Sequence, residues 1–330
     1  MAITVAQFPD LSKNALVQWE EAQLEHIEVR SKLANIKPVT KKTSEFSSFS
    51  ALPTARRRDD GDDATKGEPK QGYTKKFAQA EIALQVDVTK QSRMFDQYEK
   101  IMEDVRNMKR SAIRRIELDV ASLLSYAWST NYENIDSETV TTSAPDGLSL
   151  ISPSHVPNGS ATTWSNELSG NHSPISQATL ESLLQLFNNF LDDGDGRSIT
   201  VMADSIITGE HIPTKHEVKR ILNSILEPGT QLNSPNVNKN AYDHVTVPFL
   251  DFNAKTEARD ANKAKYVFVA NLGNKDRNGF RVESSQEVRM DPPEQVFESG
   301  IWQFLATALY DFGTMRANFI SGTKGTGAVV

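Results

Sequence analysis

The longest run of helical periodicity in the chain covers residues 92–128. Apolar residues recur there at steps of three and four, which places them on one face of a helix, and the opposite face is charged. No glycine or proline occurs between Tyr73 and Ala144, so neither residue type interrupts the helix. We predict that its packing face consists of Tyr98, Met102, Val105, Ile116, Val120 and Leu124.

The length of this helix, called the spine helix below, bears on the shape of the molecule. At about 1.5 Å per residue it would extend about 55 Å, whereas a compact chain of this size has a diameter of about 50 Å. A strict heptad that starts at Tyr98 meets Arg115 and Asp119, which argues against a long coiled coil. Two interpretations stay open: one helix of an ordinary bundle, or the spine of a flat or elongated subunit.

Residues 1–40 are too polar to form a core element. Ser12 could cap a helix from Lys13 to about Leu33, with a narrow apolar stripe among many charges. We predict an arm that lies on another surface, such as a neighbouring subunit. The residues expected to make that contact are Trp19, Leu24 and Ile27.

Residues 41–91 predict two strands around a charged tip. Residues 43–51 are polar and strand-like, residues 51–72 contain almost no apolar side chain, and residues 81–88 alternate between apolar and polar positions. An isolated hairpin is marginally stable in water, so we expect this extended loop to lie on a partner. The expected contacts are Arg56, Arg57, Arg58, Asp59, Asp60, Ile82, Leu84 and Val86. A solvated loop is the alternative, and a nucleic-acid patch is disfavoured because the acids follow the arginines directly.

After the spine helix, residues 129–173 indicate loops with short strands. An α+β pattern then follows from about residue 174 to residue 275, with a proline at the start of its second helix. Its predicted elements are helix 177–191, strand 198–202, helix 213–226 and strands 245–249 and 266–270.

The remaining chain is dominated by strands. Residues 280–286 and 287–290 come first, and residues 301–310 are apolar on both faces, which is typical of a strand covered on both sides. We predict a turn at Phe312-Gly313, a returning strand over residues 315–320 and a flexible glycine-rich tail.

Composition narrows the classes of protein. The chain has 330 residues, 38% hydrophobic and 24% charged, without an apolar run long enough to span a membrane or a recognisable signal peptide. It contains no cysteine, which excludes disulfides, thiolate metal sites and cysteine nucleophiles and fits synthesis in the cytosol. The net charge of −7 argues against a dedicated nucleic-acid-binding domain.

The spacing of the candidate motifs does not match that of a metal, cofactor or catalytic site. The acidic sequence 192–196 resembles a calcium loop, but an alignment on Gly196 puts Leu191 and Met202 at ligand positions, so a turn is the better interpretation. The six histidines lack metal-binding spacing, and no dinucleotide, P-loop or serine-hydrolase motif is present. We therefore predict no catalytic residue, no metal site and no cofactor.

The order of these segments resembles the HK97-type fold of the major capsid proteins of tailed bacteriophages, an α+β fold. Tyr310-Asp311-Phe312-Gly313 is similar to the aromatic turn with which many such proteins close, and residues 199–224 resemble the start of their axial domain. The resemblance implies an N-terminal arm (1–40), an extended loop (41–91), the spine helix and first part of a peripheral domain (92–164), an inserted axial domain (165–275), the second part of the peripheral domain (276–322) and a flexible tail (323–330).

The resemblance also implies a function. The chain would be a structural subunit, not an enzyme, that assembles with itself into pentamers and hexamers of an icosahedral capsid around double-stranded DNA. Expected partners are a separate scaffolding protein, a portal, decoration proteins and weakly held DNA, with no membrane. The protein would be made and assembled in the host cytoplasm and end in the virion. The alternatives are an encapsulin-like compartment shell of the same fold and an α+β enzyme with a long surface loop.

Overall fold

The computed structural model describes residues 8–22, 28–50, 52, 54–58, 63, 66–89, 91–92, 95, 98–168, 172–228, 234–296 and 298–326. Its α-helices are α1 (Phe8–Glu21), α2 (Arg30–Leu33), α3 (Tyr98–Ser125), α4 (Gln177–Leu186) and α5 (Ile212–Asn223). Its strands are β1 (Asn35–Pro38), β2 (Thr43–Phe49), β3 (Gln71–Ala78), β4 (Ala80–Val88), β5 (Asn131–Glu133), β6 (Thr139–Thr141), β7 (Ser205–Thr208), β8 (Asp243–Thr246), β9 (Val267–Ala270), β10 (Phe280–Met290), β11 (Glu294–Gln295), β12 (Trp302–Thr314) and β13 (Ile320–Thr323).

The spine helix is α3, which has 28 residues and is therefore about 42 Å long. It begins at Tyr98 rather than at residue 92 and ends at Ser125. Just beyond its end, Trp128 packs against Tyr266, with ring centroids 4.8 Å apart. Of the predicted packing face, Met102 is half-buried and the four later residues are buried, while the side chain of Tyr98 lies outside the described part. The buried residues are Val105, Ile116, Val120 and Leu124.

The first sheet covers the apolar face of the spine helix. Strand β12 is its centre: β10 pairs antiparallel on one side, with β1 parallel to β10 beyond it, and β4 pairs antiparallel on the other side. The short β11 pairs with the start of β12. Buried side chains of β12, such as Phe304, share an apolar cluster with Val105 and Met108 of the spine helix.

The second sheet has the order β13-β9-β7-β8, with β7 and β8 parallel and the other pairs antiparallel. The predicted strand 198–202 is wrong, because the chain there makes a single bridge between Ser198 and Leu191 and the strand follows at Ser205–Thr208. The helices and other strands of this region agree with the predicted order.

The end of the chain differs from the predicted turn and returning strand. Strand β12 continues through Phe312 and Gly313 to Thr314, because β10 pairs with it as far as Phe280. The chain then turns, and β13, which begins at Ile320 rather than at residue 315, joins the second sheet instead of returning beside β12. Thr323 is fully buried and Lys324 lies 5.3 Å from the Trp128 ring centroid, so the tail is not free there.

One apolar core joins the two sheets. Its buried members include Leu124 of the spine helix, Phe280 of the first sheet, and Phe268 and Ile207 of the second. The two sheets are therefore parts of one packed body, although three of the four strands of the second sheet, β7, β8 and β9, come from the chain segment between α3 and β10.

Candidate subunit interface

The extended loop is a hairpin formed by β2 and β3, which pair from Thr43–Ala78 at the root to Phe49–Gln71 near the tip. The predicted hairpin used residues 81–88 as its returning strand, and this is wrong. That segment is β4, which pairs with β12 in the first sheet. Its apolar positions cover the spine helix, so burial there stabilises β4 more than pairing with the polar β2 would.

The root of the hairpin is anchored by an aromatic side chain. Phe77 is 1% exposed, and it packs so closely on β12 that a methyl group added to Gly313 would lie 3.0 Å from its ring. The guanidinium carbon of Arg281 lies 5.8 Å from the ring centroids of both Phe77 and Phe46, which are cation–π contacts.

Hydrogen bonds fix the same root to the first sheet. The Ala78 N–H donates to Asp311 Oδ2 at 2.7 Å, and the Ser44 hydroxyl donates to the buried Glu283 carboxylate. Burial raises the pKa of Asp311 to about 6. The hydrogen bonds that its carboxylate accepts from backbone N–H groups act in the opposite direction and lower the pKa. The hairpin is thus a separate two-stranded sheet whose root is attached to the first sheet by side chains of the same chain.

The tip presents charged and apolar groups to solvent. Arg56, Arg57 and Arg58 are exposed, and Asp59 and Asp60 lie outside the described residues. Phe49 is 65% exposed and Leu52 is 63% exposed. Large apolar side chains held in water at the end of a hairpin are typical of a contact surface for another molecule.

The three predicted contacts in β4 lie elsewhere than expected. Ile82 and Val86 are half-buried against the apolar clusters under the first sheet, and Leu84 on the same face is 39% exposed. They are separated from the hairpin tip, so the prediction that they belong to the extended loop is wrong. The opposite face of β4 carries the exposed Glu81 and Asp87.

The arm is partly a core element, contrary to the sequence prediction. Trp19 is 7% exposed and shares a buried cluster with Ala15 and the spine-helix residue Val105, and Lys109 Nζ donates to the Trp19 carbonyl at 2.7 Å. Its side chain is therefore committed to its own chain and has little surface left for a neighbouring subunit. Leu24 and Ile27 lie outside the described residues. Among the described side chains of α1, the apolar residues Leu16 and Val17 are exposed.

The helical periodicity did not indicate that two carboxylates of the spine helix, Glu117 and Asp119, are buried. Glu117 accepts hydrogen bonds from the backbone N–H groups of Val29, at 3.1 Å, and Arg30, so it ties the arm to the helix. Asp119 accepts from the Tyr310 hydroxyl at 2.5 Å and from Arg115 Nε at 3.0 Å. Burial raises the pKa of both carboxyl groups. The sequence signal that could have indicated their burial is their position inside the largely apolar stretch 112–124.

Two adjoining clefts of about 630 and 770 Å³ separate the arm from strand β8 and share Lys32, His244 and Val245. His244 Nε2 lies 2.8 Å from the Thr208 hydroxyl, but Thr208 is fully buried and cannot reach a substrate. Burial and nearby lysines lower the pKa of His244, which favours the neutral ring. The pair of His244 and Thr208 therefore offers no accessible nucleophile in these clefts.

The acidic turn and the helices were also candidates for a metal site and for membrane spans. Within the described ranges, no three histidine, aspartate or glutamate side chains are grouped so as to hold a metal ion. The sequence 192–196 forms a turn, in which the Gly196 N–H donates to the Asp192 carbonyl at 3.0 Å. No helix of the described chain is long and apolar enough to cross a membrane.

Comparisons with known proteins bear on the fold. No protein-family model and no curated protein sequence matches the chain. Among solved structures, a chain of Microbacterium phage Oxtober96 is 11% identical with a TM-score of 0.52, and the match covers 91% of this chain and 94% of that one. A chain of Gordonia phage Cozz is 9% identical with a TM-score of 0.53, and the match covers 89% and 85%. The predicted fold class is confirmed: the chain has the HK97-type fold of phage major capsid proteins.

Proposed function

We propose that this chain is a structural subunit that assembles with itself into the pentamers and hexamers of an icosahedral viral capsid enclosing double-stranded DNA. The observation that carries the proposal is the hairpin of β2 and β3, which is anchored at its root and displays Phe49 and Leu52 in water at its far end. Such exposed apolar surface is stabilised when it is buried between subunits.

Charge complementarity suggests where the tip binds. Residues 56–58 are three exposed arginines. On the outer face of the first sheet, the register places Asp87 and Glu294 on either side of Gln303, with Glu81 further along β4. Arg289, which lies on the same face, is ion-paired with Asp291 at 3.1 Å. We infer that the arginines of one subunit lie on this acidic face of the next.

The wider assignment follows from the fold and from charge. The net charge of −7 suits a shell that holds DNA only weakly. We propose that a separate scaffolding protein, a portal and decoration proteins complete the particle, and that it assembles in the host cytoplasm and becomes part of the virion. The protein acts in this role as a structural component rather than as an enzyme.

A charge-reversal experiment tests the proposal. The purified chain should form shells or capsomers on sedimentation, and the variant R56E/R57E/R58E should stay unassembled while its circular dichroism is unchanged. The matched control R56K/R57K/R58K keeps the charge and should assemble. Combining the reversed arginines with E81K/D87K/E294K should restore assembly if the two surfaces meet.

Three outcomes would contradict parts of this account. Normal assembly of the reversed variant would remove the proposed role of the arginines. Shells that enclose protein cargo and no DNA when isolated from cells would indicate an encapsulin-like compartment. A small soluble oligomer under all conditions would favour the enzyme alternative.

A further inference from the structure

The acidic turn 192–196 lies directly against the hairpin, and the two backbones touch at glycines. A methyl group added to Gly194 would lie 2.9 Å from the Ser50 backbone nitrogen and 3.0 Å from the Lys70 carbonyl oxygen. One added to Gly72 would lie 3.4 Å from the Asp193 carbonyl carbon. A side chain larger than that of glycine at position 194 would hold the two segments apart.

A third segment joins the turn to the hairpin. The Asn158 N–H donates to the Asp193 carbonyl at 2.8 Å, and its side-chain amide donates to the carbonyls of Gln71 at 3.2 Å and Gly72 at 3.3 Å. The Tyr73 hydroxyl donates to the Val156 carbonyl at 2.8 Å. Asn158 therefore bonds to both sides of the seam at once.

These contacts lie far from the root. Phe77 and Ala78 attach the hairpin to the first sheet, whereas Ser50 and Lys70 stand where the paired strands give way to the tip, and the Ser50 N–H donates to the Lys70 carbonyl at 2.8 Å. A hairpin that is attached only at its root can rotate about that root. A hairpin that is also attached at its far end is held in one orientation relative to the rest of the subunit.

We propose that the turn 192–196, with Asn158, is a seat that fixes the direction of the hairpin in the unassembled subunit and so presents the tip in its binding orientation. This inference rests on the proposed role of the hairpin in assembly. Its physical basis is preorganisation: a segment that is already oriented loses less conformational freedom on binding, so association is stronger and faster. Asn158 and Gly194 are positioning residues and need not touch the neighbouring subunit.

Asn158→Asp is the main test, because it keeps the shape of the side chain but replaces a donor by an acceptor facing two carbonyl oxygens. Asn35→Asp is the matched control, since the Asn35 amide donates to the Lys275 carbonyl at 3.2 Å, away from the hairpin. Gly194→Ala is a second variant that opens the seam sterically. Three quantities are measured for each variant. Hydrogen exchange of amides 47–50 and 70–73 is measured in the free subunit. Thermal unfolding is followed by circular dichroism, and the assembly rate is followed by light scattering.

We expect Asn158→Asp and Gly194→Ala to speed exchange of those amides at least tenfold and to slow assembly at least tenfold, with the midpoint of thermal unfolding little changed. Asn35→Asp should alter neither. If hydrogen exchange is unchanged in both Asn158→Asp and Gly194→Ala, the turn does not fix the hairpin and the proposal is wrong. If exchange is faster but the assembly rate is unchanged, the turn fixes the hairpin but does not orient the tip for assembly. If the unaltered chain forms no shell, the proposed function fails, whereas the seat itself is still judged by hydrogen exchange.

Discussion

Two phenylalanines on one hairpin should respond in opposite ways to replacement by alanine. Phe77 is 1% exposed at the root and Phe49 is 65% exposed near the tip. A Phe→Ala change at a buried site costs about 3–5 kcal/mol. Because the pocket of Phe77 is bounded on one side by a two-stranded hairpin that can partly collapse, we expect about 3 kcal/mol there. Phe49 buries only about a third of its surface, so the same reasoning gives about 1 kcal/mol.

Native-state hydrogen exchange of the free subunit measures this difference locally. A loss of about 3 kcal/mol is a factor of about 100 in the opening equilibrium, so amides 44–48 should exchange about 100 times faster in F77A and within tenfold of the unaltered protein in F49A. The effect on assembly should be the reverse: F49A should be folded but should assemble poorly, since it removes apolar surface that we propose is buried between subunits. Equal exchange in the two variants would refute the anchoring role of Phe77.

Three further predictions concern buried polar groups. Burial raises the pKa of Asp193 to about 6 from its usual 3.8, so the folded state holds this proton more tightly than the unfolded chain. The free energy of unfolding should therefore fall as the pH rises from about 4 to about 6, by up to about 3 kcal/mol, and D193N should lack this component of the slope in urea titrations at several pH values. Glu117→Ala leaves one buried and one partly buried N–H donor of the arm, those of Val29 and Arg30, without this acceptor and should cost about 2–4 kcal/mol in urea unfolding, whereas Glu117→Gln should cost less. Tyr310→Phe removes a donor from the buried Asp119 and should cost about 1–3 kcal/mol; an unchanged midpoint of thermal unfolding would show that this bond contributes nothing.

The sequence predicted those parts of the fold that local patterns determine. The spine helix was found because Val105, Ile116, Val120 and Leu124 keep a steady helical spacing, and all four are buried. Its first residues were placed too early, because the absence of glycine and proline permits a helix without requiring one.

Strand partners could not be predicted in the same way. The alternation in residues 81–88 correctly indicates a strand with one apolar face, but it is equally compatible with pairing to β2 or to β12. The choice depends on where a buried apolar face is available, which in this protein is the surface of the spine helix. Strand β13 was misassigned for a related reason, since nothing in residues 320–323 says which sheet they complete.

The candidate interface was predicted in outline only. The exposed arginines at the tip follow from a segment with almost no apolar residue, which cannot be buried. Trp19 was misjudged because a single aromatic among charges leaves open which surface it covers, its own spine helix or a neighbour's. The contact between Gly194 and Ser50 had no sequence signal beyond a turn, because it joins segments more than a hundred residues apart.

Cryo-electron microscopy of the particles formed by the purified chain tests the central claim most directly. The account predicts closed icosahedral shells of pentamers and hexamers in which the tip of each hairpin, at residues 49–58, contacts the outer sheet face of an adjacent subunit near Glu81 and Asp87. Particles in which every hairpin tip contacts only its own subunit, or a chain that stays monomeric under all assembly conditions, would contradict it.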